Sequence, residues 1–331
     1  MKIGLYSITY LGIWYEGAAL TLDDVVGRAA KFGYEGVEID GKRPHGHPMD
    51  MPASRCRELR EKARDAGIDI YAVAANNDFS SPISEHRESQ LGYVKDLIRM
   101  TSDLGAGTLR IFAAWPGVHK PTGTYKQWTS PSYEVTEHIW AETHKGFLAE
   151  QIWDWCRDGL VESARWAAEA GIVLALQNHP AVIDNYHDML RMIREVNSPN
   201  LKAAFDAPMA NKQGVTQMRN AAVEVGSLQV LTHFGGEYEE SRDGEVQGLV
   251  RWRDGRLTPE NFYFDFAAGM LDIGYKGYTG YELCHPLPPI DGKPAGIDFV
   301  DKNAELAAKF MRGVLKQAQS NYAEAAIPSR G

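Results

Sequence analysis

Four polar side chains in the second half of the chain stand at or just after the ends of short apolar runs. The runs are IVLAL before Gln177, LKAAF before Asp206, LQVLT before His233 and TGY before Glu282. One amide oxygen, two carboxylates and one imidazole make a mostly oxygen site, which suits Mn²⁺ or Mg²⁺ with open positions for a substrate better than structural zinc. If the runs are neighbouring strands, the sequence predicts a divalent metal site of these four residues, with Mn²⁺ preferred and Mg²⁺ as the alternative.

Each of these side chains also has an ordinary structural alternative. Asp206 stands before Ala-Pro and could cap the next helix. His233 could be a hydrogen-bonded core histidine, Glu282 could pair with a neighbouring cation, and Gln177 could satisfy loop amides. We favour the metal interpretation because the four residues stand at consecutive strand ends and because buried acids rarely cluster without a cation.

The elements that would position these residues follow a repeated joint, in which a helix-like stretch ends at glycine and a strand-like run follows. Glycine is favoured just past a helix because it adopts the left-handed conformation at little cost. The joint recurs at Gly33, Gly67, Gly105, Gly171, Gly226 and Gly274, and Asn197 with Pro199 makes a seventh. With KIGLYSITY at the N-terminus this gives eight strands, which alternate with helices predicted at 21–32, 53–66, 84–104, 150–170, 184–195, 212–225, 259–273 and 298–320.

Eight strand and helix pairs predict an α/β fold of the (βα)8 TIM-barrel type. We expect a single domain over 1–320 and a frayed tail over 321–331. A doubly wound dinucleotide domain would show G-x-G-x-x-G after its first strand, and KIGLYSITY is followed by no such motif. Two long rim loops, 115–149 after strand four and 235–258 after strand seven, are expected on the catalytic side of the barrel.

The composition disfavours several classes of function. The chain has 331 residues, 44% hydrophobic and 24% charged, which is typical of a globular protein, and its formal net charge of -9 disfavours nucleic acid as a partner. Cys56, Cys156 and Cys284 are far apart, so neither a disulfide framework nor a zinc knuckle is predicted. With neither a secretion signal nor a long apolar run, we expect a cytoplasmic protein with no membrane partner.

The strand ends carry a resemblance to a known family. GYEGVEI on strand two, the Asn-His pair closing strand five, and Asp, His and Glu on strands six to eight resemble the xylose isomerase-like barrel superfamily of sugar-phosphate isomerases and epimerases. The resemblance covers essentially the whole chain and implies a metal held by Glu, Asp, His and Glu, which fall on Gln177, Asp206, His233 and Glu282. This chain departs from the family at the first position, where it has glutamine.

That departure bears on the chemistry. In the family's ketose 3-epimerases the strand-five and strand-eight glutamates exchange a proton on opposite faces of the sugar carbon, and an amide cannot accept that proton. A base must then come from elsewhere, and the strand-four loop supplies Glu142 and His144. With an unperturbed pKa of about 6.5, His144 is our first candidate for the base, while Glu282 is a ligand that can share in proton transfer.

A long aromatic strand-four loop with a histidine base also resembles the larger subunit of bacterial C-glycoside deglycosidases, which cleave 3-oxo-glycosides together with a smaller partner subunit. This resemblance implies that the metal polarises the C3 ketone and stabilises an enolate. His144 would remove the C2 proton, and the aglycone would leave from C1. The resemblance also implies a small-molecule glycoside substrate and a smaller partner subunit, with a homo-oligomer as the alternative assembly.

Further residues are candidates for contacts with the substrate. They are Trp115, Glu142, Asn178, His179 and His285. Trp115 offers a flat face to a sugar, although packing of the loop onto the barrel or a subunit interface explains the loop aromatics equally well. Asn178 and His179 would contact the substrate or orient Gln177. Glu38 on strand two could bind a substrate hydroxyl but is expected to be structural, and Arg110 inside strand four is expected to form an ion pair.

Three functions follow from these features. We prefer a metal-dependent lyase that removes a proton next to a sugar carbonyl and releases an aglycone, because Gln177 removes one acid-base carboxylate. The second is a sugar isomerase or ketose epimerase of the same superfamily, which would use Glu282 and another base. The third is a barrel without catalysis that binds carbohydrate or serves as an assembly subunit.

Overall fold

The computed structural model describes residues 1–119, 133–251, 256–260, 262–287, 289–290 and 292–325. Eight parallel strands form a curved sheet in the order β6-β5-β4-β3-β2-β1-β11-β7. These strands are β1 (Lys2–Tyr6), β2 (Gly36–Asp40), β3 (Asp69–Ala74), β4 (Thr108–Ile111), β5 (Val173–Gln177), β6 (Leu201–Ala204), β7 (Thr232–Gly235) and β11 (Tyr278–Glu282). The α/β barrel predicted from the sequence, with eight parallel strands, is confirmed.

The barrel closes between β6 and the residues that precede β7. Ala203 and Gln229 form a parallel bridge, and the backbone N–H of Val230 donates to the Ala203 carbonyl at 3.0 Å. The Gln229 side chain completes the seam, because its Oε1 accepts from the backbone N–H of Phe205 at 3.1 Å and its Nε2 donates to the Leu231 carbonyl at 2.8 Å. One buried amide thus satisfies backbone groups where the ladder is short.

Helices connect and surround the strands. They are α1 (Leu22–Phe32), α2 (Ala53–Asp65), α3 (Ser84–Asp103), α4 (Glu134–His144), α5 (Ala149–Ala170), α6 (Tyr186–Val196), α7 (Ala207–Lys212), α8 (Met218–Val225), α9 (Phe262–Asp272) and α10 (Ile297–Ala325). None of the helices in the described ranges is long and apolar enough to cross a membrane.

The predicted helix ends have the expected backbone conformation. Gly33 after α1 and Gly171 after α5 take left-handed backbone with φ of 75° and 69°. Asn197 after α6 has φ of 51°, the one non-glycine with positive φ among the described residues. These positions confirm the joint between helix and strand, since glycine and asparagine are the residues that tolerate this conformation.

The structure differs from the sequence prediction in the loops and at the C-terminus. The loop after strand four contains α4. The predicted helix 212–225 begins only at Met218, as α8, and the additional helix α7 lies directly after β6. The loop after strand seven carries a three-stranded antiparallel sheet of β8 (Glu237–Glu240), β9 (Val246–Arg251) and β10 (Leu257–Pro259). Helix α10 continues to Ala325, past the predicted boundary at 320. Residues 326–331 of the predicted tail lie outside the described part of the chain.

A tyrosine fills the barrel interior where three strands carry glycine. A Cβ at Gly4, Gly36 or Gly280 would lie 2.3 to 2.8 Å from an atom of the Tyr71 side chain. The Tyr71 ring also stacks on Tyr278 with a centroid distance of 4.1 Å. Glycine at these positions therefore leaves the space that the Tyr71 ring occupies.

Candidate active site

The four strand-end residues singled out by the sequence lie at the carboxyl ends of β5, β6, β7 and β11. We call Gln177, Asp206, His233 and Glu282 the strand-end cluster. Gln177 Nε2 donates to Asp206 Oδ2 at 2.8 Å, and His233 Nδ1 lies 3.2 Å from the same oxygen. The structure therefore brings the first three side chains into direct contact, and all three are buried.

Asp206 also caps the helix that follows it. Its Oδ1 accepts from the backbone N–H of Met209 at 2.9 Å, and Pro208 lies in the first turn of α7. Asn178 fixes the backbone at this point, because its Oδ1 accepts from the Asp206 N–H at 2.7 Å. Asp206 can therefore cap the helix and belong to the strand-end cluster at the same time, because each role uses a different carboxylate oxygen.

Two charged residues that the sequence analysis treated as structural lie inside the same network. Arg110 on β4 donates from Nε to Glu38 Oε1 at 2.8 Å and from Nη1 to Gln177 Oε1 at 2.6 Å. The other oxygen of Glu38, on β2, lies 2.7 Å from His233 Nε2. The ion pair predicted for Arg110 is confirmed, and it links β2 and β4 directly to the strand-end cluster.

Aromatic rings contact the faces of the Arg110 guanidinium, in addition to the hydrogen bonds along its edge. Its guanidinium carbon lies 4.6 Å from the centroid of the Tyr6 ring and 5.4 Å from that of Phe112. The residue is only 3% exposed. A buried guanidinium with two hydrogen-bonding partners and two aromatic neighbours has little freedom to leave its place.

The pKa shifts follow from burial and from these charges. Burial alone would raise the pKa of Glu38, but Arg110 and His233 outweigh it and lower that pKa to about 2. Burial would lower the pKa of His233, whereas Glu38 and Asp206 raise it to about 9. Glu282 is different, because burial, together with the negative charges of Asp206 and Glu38, raises its pKa above the usual range despite the opposing effect of His233 and Arg110.

The donor set does not fit a divalent cation as it stands. Among the described residues no group of three or more His, Cys, Asp and Glu side chains is arranged to hold a metal ion. Gln177 Oε1 faces the Arg110 guanidinium, and both ring nitrogens of His233 face carboxylate oxygens of Glu38 and Asp206. The lone pairs that would bind Mn²⁺ or Mg²⁺ are thus directed at protein partners.

Aromatic rings form a wall beside Arg110. Trp115 stacks on Phe112 at 5.2 Å and meets His179 edge-on at 4.8 Å, and Tyr133 follows at 5.9 Å. Burial lowers the pKa of His179 to about 4, so its imidazole is neutral near pH 7. We call Phe112, Trp115, Tyr133 and His179 the aromatic wall; it includes two of the residues predicted to contact a substrate.

The predicted base His144 lies in a different network, on α4. Its Nδ1 lies 2.6 Å from the Trp140 carbonyl oxygen, its Nε2 lies 2.9 Å from that of Ser80, and its ring stacks on Trp140 at 4.1 Å. Glu142 is exposed and pairs with Lys145 at 3.5 Å. The contacts of His144 and Glu142 anchor or flank α4, and none of these contacts joins them to the strand-end cluster.

His285, predicted to enter the site, contacts the small sheet over the barrel. Its Nε2 lies 3.1 Å from Glu237 Oε1 on β8, and the same carboxylate forms an ion pair with Arg251 on β9. Burial would raise the pKa of Glu237, but Arg251 and His285 lower it to about 2. His285 therefore ties the segment after β11 to the sheet in the loop after β7.

The sequence analysis did not predict that Glu38 and Arg110 contact the strand-end cluster. The available signal was a pair of opposite charges on interior strands of a predicted barrel, where unpaired charges are costly. What the sequence did not show is that the pair extends through Gln177 and His233 into the strand-end cluster.

Comparisons with known proteins agree with this architecture. The model of the xylose isomerase-like TIM barrel family matches residues 26–303. Fructoselysine 3-epimerases of Shigella flexneri and Escherichia coli O157:H7 are 24% and 22% identical to this chain over 295 residues, which make up 86% of this chain and 90% of each relative.

Solved structures of sugar epimerases share the fold. An L-ribulose 3-epimerase has a TM-score of 0.69 at 16% identity, covering 100% of this chain and 99% of its own. The D-psicose 3-epimerase of Clostridium cellulolyticum H10 with D-tagatose has a TM-score of 0.68 at 18% identity, covering 95% and 99%. A 3-keto-D-glucoside 4-epimerase from E. coli has a TM-score of 0.61 at 16% identity, covering 97% and 99%. Since the family model spans most of its length, this chain belongs to the xylose isomerase-like TIM barrel family.

Proposed function

We propose that this chain is a sugar epimerase or isomerase that removes a proton from the carbon next to a carbonyl group, with the Glu282 carboxylate as the proton acceptor. The observation that carries the proposal is the environment of Glu282 at the end of β11. Burial and the neighbouring acids raise the pKa of this carboxyl, while Glu38 is held ionised by Arg110 and His233. A carboxylate with a raised pKa is the stronger base, so the two acids are suited to different roles.

The reaction needs a group that stabilises negative charge on oxygen. When Glu282 takes the proton, the electron pair of the C–H bond moves toward the carbonyl and leaves an enolate. The positive side chains that act on the Glu282 carboxyl are His233 and Arg110, and both charges lower its pKa. An epimer forms when a second acid, such as a water molecule on the opposite face, delivers a proton to the same carbon and Glu282 then passes its own proton to solvent. An isomer forms when Glu282 returns its proton to the former carbonyl carbon and the proton of the neighbouring hydroxyl moves to the former carbonyl oxygen.

The names of the relatives support a keto sugar as the substrate. They name fructoselysine, psicose and ribulose 3-epimerases and a 3-keto-D-glucoside 4-epimerase. The aromatic wall beside Arg110 supports a sugar as well, because Trp115 supplies a flat apolar face with a polar edge.

Elimination from a 3-oxo-glycoside is a second candidate, favoured by one observation. The end of β5 carries an amide that hydrogen-bonds to Arg110 and Asp206, so this strand offers no second carboxylate for proton return. An elimination needs a single base at carbon, and the aglycone leaves without proton return to that carbon. Detection of this elimination would test three predictions that remain open. They are the resemblance to C-glycoside deglycosidases, the role of His144 as the base and the smaller partner subunit.

Solvent exchange distinguishes these outcomes. The protein is incubated in D₂O with D-psicose, L-ribulose and a 3-keto-glucoside, and NMR follows deuterium at the carbons next to the carbonyl. We expect deuterium incorporation by the wild type and a loss of about 10²–10⁴-fold in Glu282→Gln. The matched control is Glu169→Gln, an exposed acid on α5, which we expect to exchange at the wild-type rate.

The products of the same incubations separate the candidates. An epimer or isomer with deuterium supports the first proposal, and release of an aglycone supports elimination. If no sugar of the panel exchanges, while sugar binding is measurable by calorimetry, the chain is a carbohydrate-binding or assembly subunit instead. Full exchange in Glu282→Gln would contradict the assignment of the base.

A further inference from the structure

Arg110 places a buried positive charge directly against the strand-end cluster. Arg110 reaches from β4 between Glu38 and Gln177, with hydrogen bonds of 2.8 and 2.6 Å to the two side chains. We propose that the Arg110 guanidinium replaces the divalent cation in this site and binds the carbonyl oxygen of the substrate. This proposal rests on the proposed function for the nature of the substrate, but its metal-binding arm does not.

The donor atoms of the strand-end cluster point at protein partners and do not converge on a point where an ion could bind. Asp206 Oδ2 lies within 2.8 Å of Gln177 Nε2 and 3.2 Å of His233 Nδ1, and its Oδ1 is used by the backbone of Met209. A divalent ion requires oxygen or nitrogen lone pairs that converge on one point. Here the lone pairs of Gln177 and Asp206 are directed at hydrogens of the protein.

Arg110 cannot make room for an ion without losing several contacts at once. Its Nε is paired with Glu38, and its plane lies near the rings of Tyr6 and Phe112. A divalent cation bound to Gln177 Oε1 would lie next to the guanidinium nitrogen that now occupies that oxygen. Two positive charges at that separation repel each other strongly in a buried site.

The amide of Gln177 also fits a cluster that contains arginine better than one that contains a metal ion. Gln177 accepts from Arg110 with its oxygen and donates to Asp206 with its nitrogen. A glutamate at this position could accept from Arg110, but it would place a second negative charge against Asp206. Glutamine is therefore the residue that a cluster built around arginine requires, whereas a metal site gains from a carboxylate.

Arg110 also retains a donor for a ligand. Its Nη2 makes no hydrogen bond to any described residue, and we assign this nitrogen as the donor to a ligand. This N–H pair can donate to the carbonyl oxygen and to the enolate oxygen that forms when the proton moves to Glu282. The electron pair of the C–H bond then rests on an oxygen held by a fixed positive group, and no further reactant is needed.

Metal binding tests the proposal without any assay of activity. The wild-type protein is dialysed against EDTA and titrated with Mn²⁺ alone, and binding is followed by the electron paramagnetic resonance of free Mn²⁺ and by calorimetry. We expect no stoichiometric binding and the same thermal midpoint with EDTA and with Mn²⁺. One Mn²⁺ bound per chain at micromolar concentration, or a lower midpoint in EDTA, would overturn the proposal.

A pair of variants reverses the arrangement. The double variant Gln177→Glu with Arg110→Met restores a carboxylate on β5 and removes the guanidinium, and we expect it to gain a single Mn²⁺ site. In the exchange assay Arg110→Met is expected to lose about 10²–10³-fold, with partial recovery in Arg110→Lys. Circular dichroism confirms that each variant is folded, and the wild-type titration decides the proposal if one is not.

The outcomes of the two assays are distinguishable. Exchange that depends on Mn²⁺ would refute the role of Arg110 and leave the proposed function standing. Absence of Mn²⁺ binding together with absence of exchange on every sugar would refute the proposed function and leave the metal-free cluster standing. Arg110→Met that exchanges at the wild-type rate would show that the guanidinium does not bind the substrate oxygen.

Discussion

Neutralising Glu38 is expected to destabilise the whole barrel, because this carboxylate compensates a buried cation. Both of its oxygens are used, one by Arg110 Nε at 2.8 Å and one by His233 Nε2 at 2.7 Å, and all three side chains are buried. Removing one partner of a buried ion pair costs about 3–5 kcal/mol, since the other charge stays buried without its counter-ion. We expect that loss of stability in Glu38→Gln at pH 7.

The loss can be measured as a thermal midpoint. Unfolding entropy of about 2.1 cal/mol/K per residue gives a chain of 331 residues about 0.7 kcal/mol/K, so 3–5 kcal/mol corresponds to a fall of roughly 4–7 °C. Differential scanning calorimetry at pH 7 is the assay. The matched control is Asp50→Asn, which breaks an exposed pair with Arg43 and is expected to leave the midpoint unchanged.

A double variant tests the cause. Glu38→Gln combined with Arg110→Met removes both charges, and we expect its midpoint to lie above the value that the two single changes predict by addition. The reasoning is refuted if Glu38→Gln lowers the midpoint by less than about 1 °C, or if the two changes simply add.

Three further predictions concern stability. Burial raises the pKa of Glu260 to about 8, above its unfolded value of 4.5, so the free energy of unfolding of the wild type should fall as pH rises from about 4.5 to 8. Glu260→Gln should abolish that fall and be more stable than the wild type by up to about 5 kcal/mol at the upper end of this range. Equal pH dependence of the two proteins in calorimetry would contradict the prediction. Gly280→Ala should cost about 1–3 kcal/mol in thermal unfolding, because its Cβ would lie 2.5 Å from the Tyr71 hydroxyl, and an unchanged midpoint would show that the tyrosine moves freely. Gln229→Leu should cost about 1–3 kcal/mol and speed amide hydrogen exchange at Phe205, whereas normal protection of that amide would count against the seam described for this side chain.

Much of the fold could be predicted from the sequence because the residues that end its helices recur regularly along the chain. Glycine or asparagine follows a helix at each joint, and at Gly33, Gly171 and Asn197 the backbone is left-handed as expected. The loops were harder. The additional helix α7 depends on Asp206 and Pro208 starting a helix directly after β6. The strands β8 to β10 are separated in the sequence by Asp243-Gly244 and Asp254-Gly255, which are dipeptides typical of hairpin turns and could have indicated this small sheet.

The candidate site could be predicted only in part. The shared rim of parallel strands predicts that Gln177, Asp206 and His233 lie at the same height, and the structure adds that their side chains point toward one another there. The involvement of Arg110 depends on which face of β4 turns inward, and hence on strand register, which the sequence does not show. The contacts of His144 with Ser80 and Trp140 depend on how α4 lies against the barrel.

The position of Tyr71 has a consequence for isotope experiments. A Cβ at Gly280 would lie 2.5 Å from the Tyr71 hydroxyl, 3.1 Å from the His233 ring and 3.6 Å from Glu38, so the phenol lies beside the buried charges. If the proposed function holds and this ring keeps solvent away from the inner side of the charges, water would reach Glu282 from the carboxyl ends of the strands. The fraction of label carried from substrate into product would then measure how slowly that water exchanges.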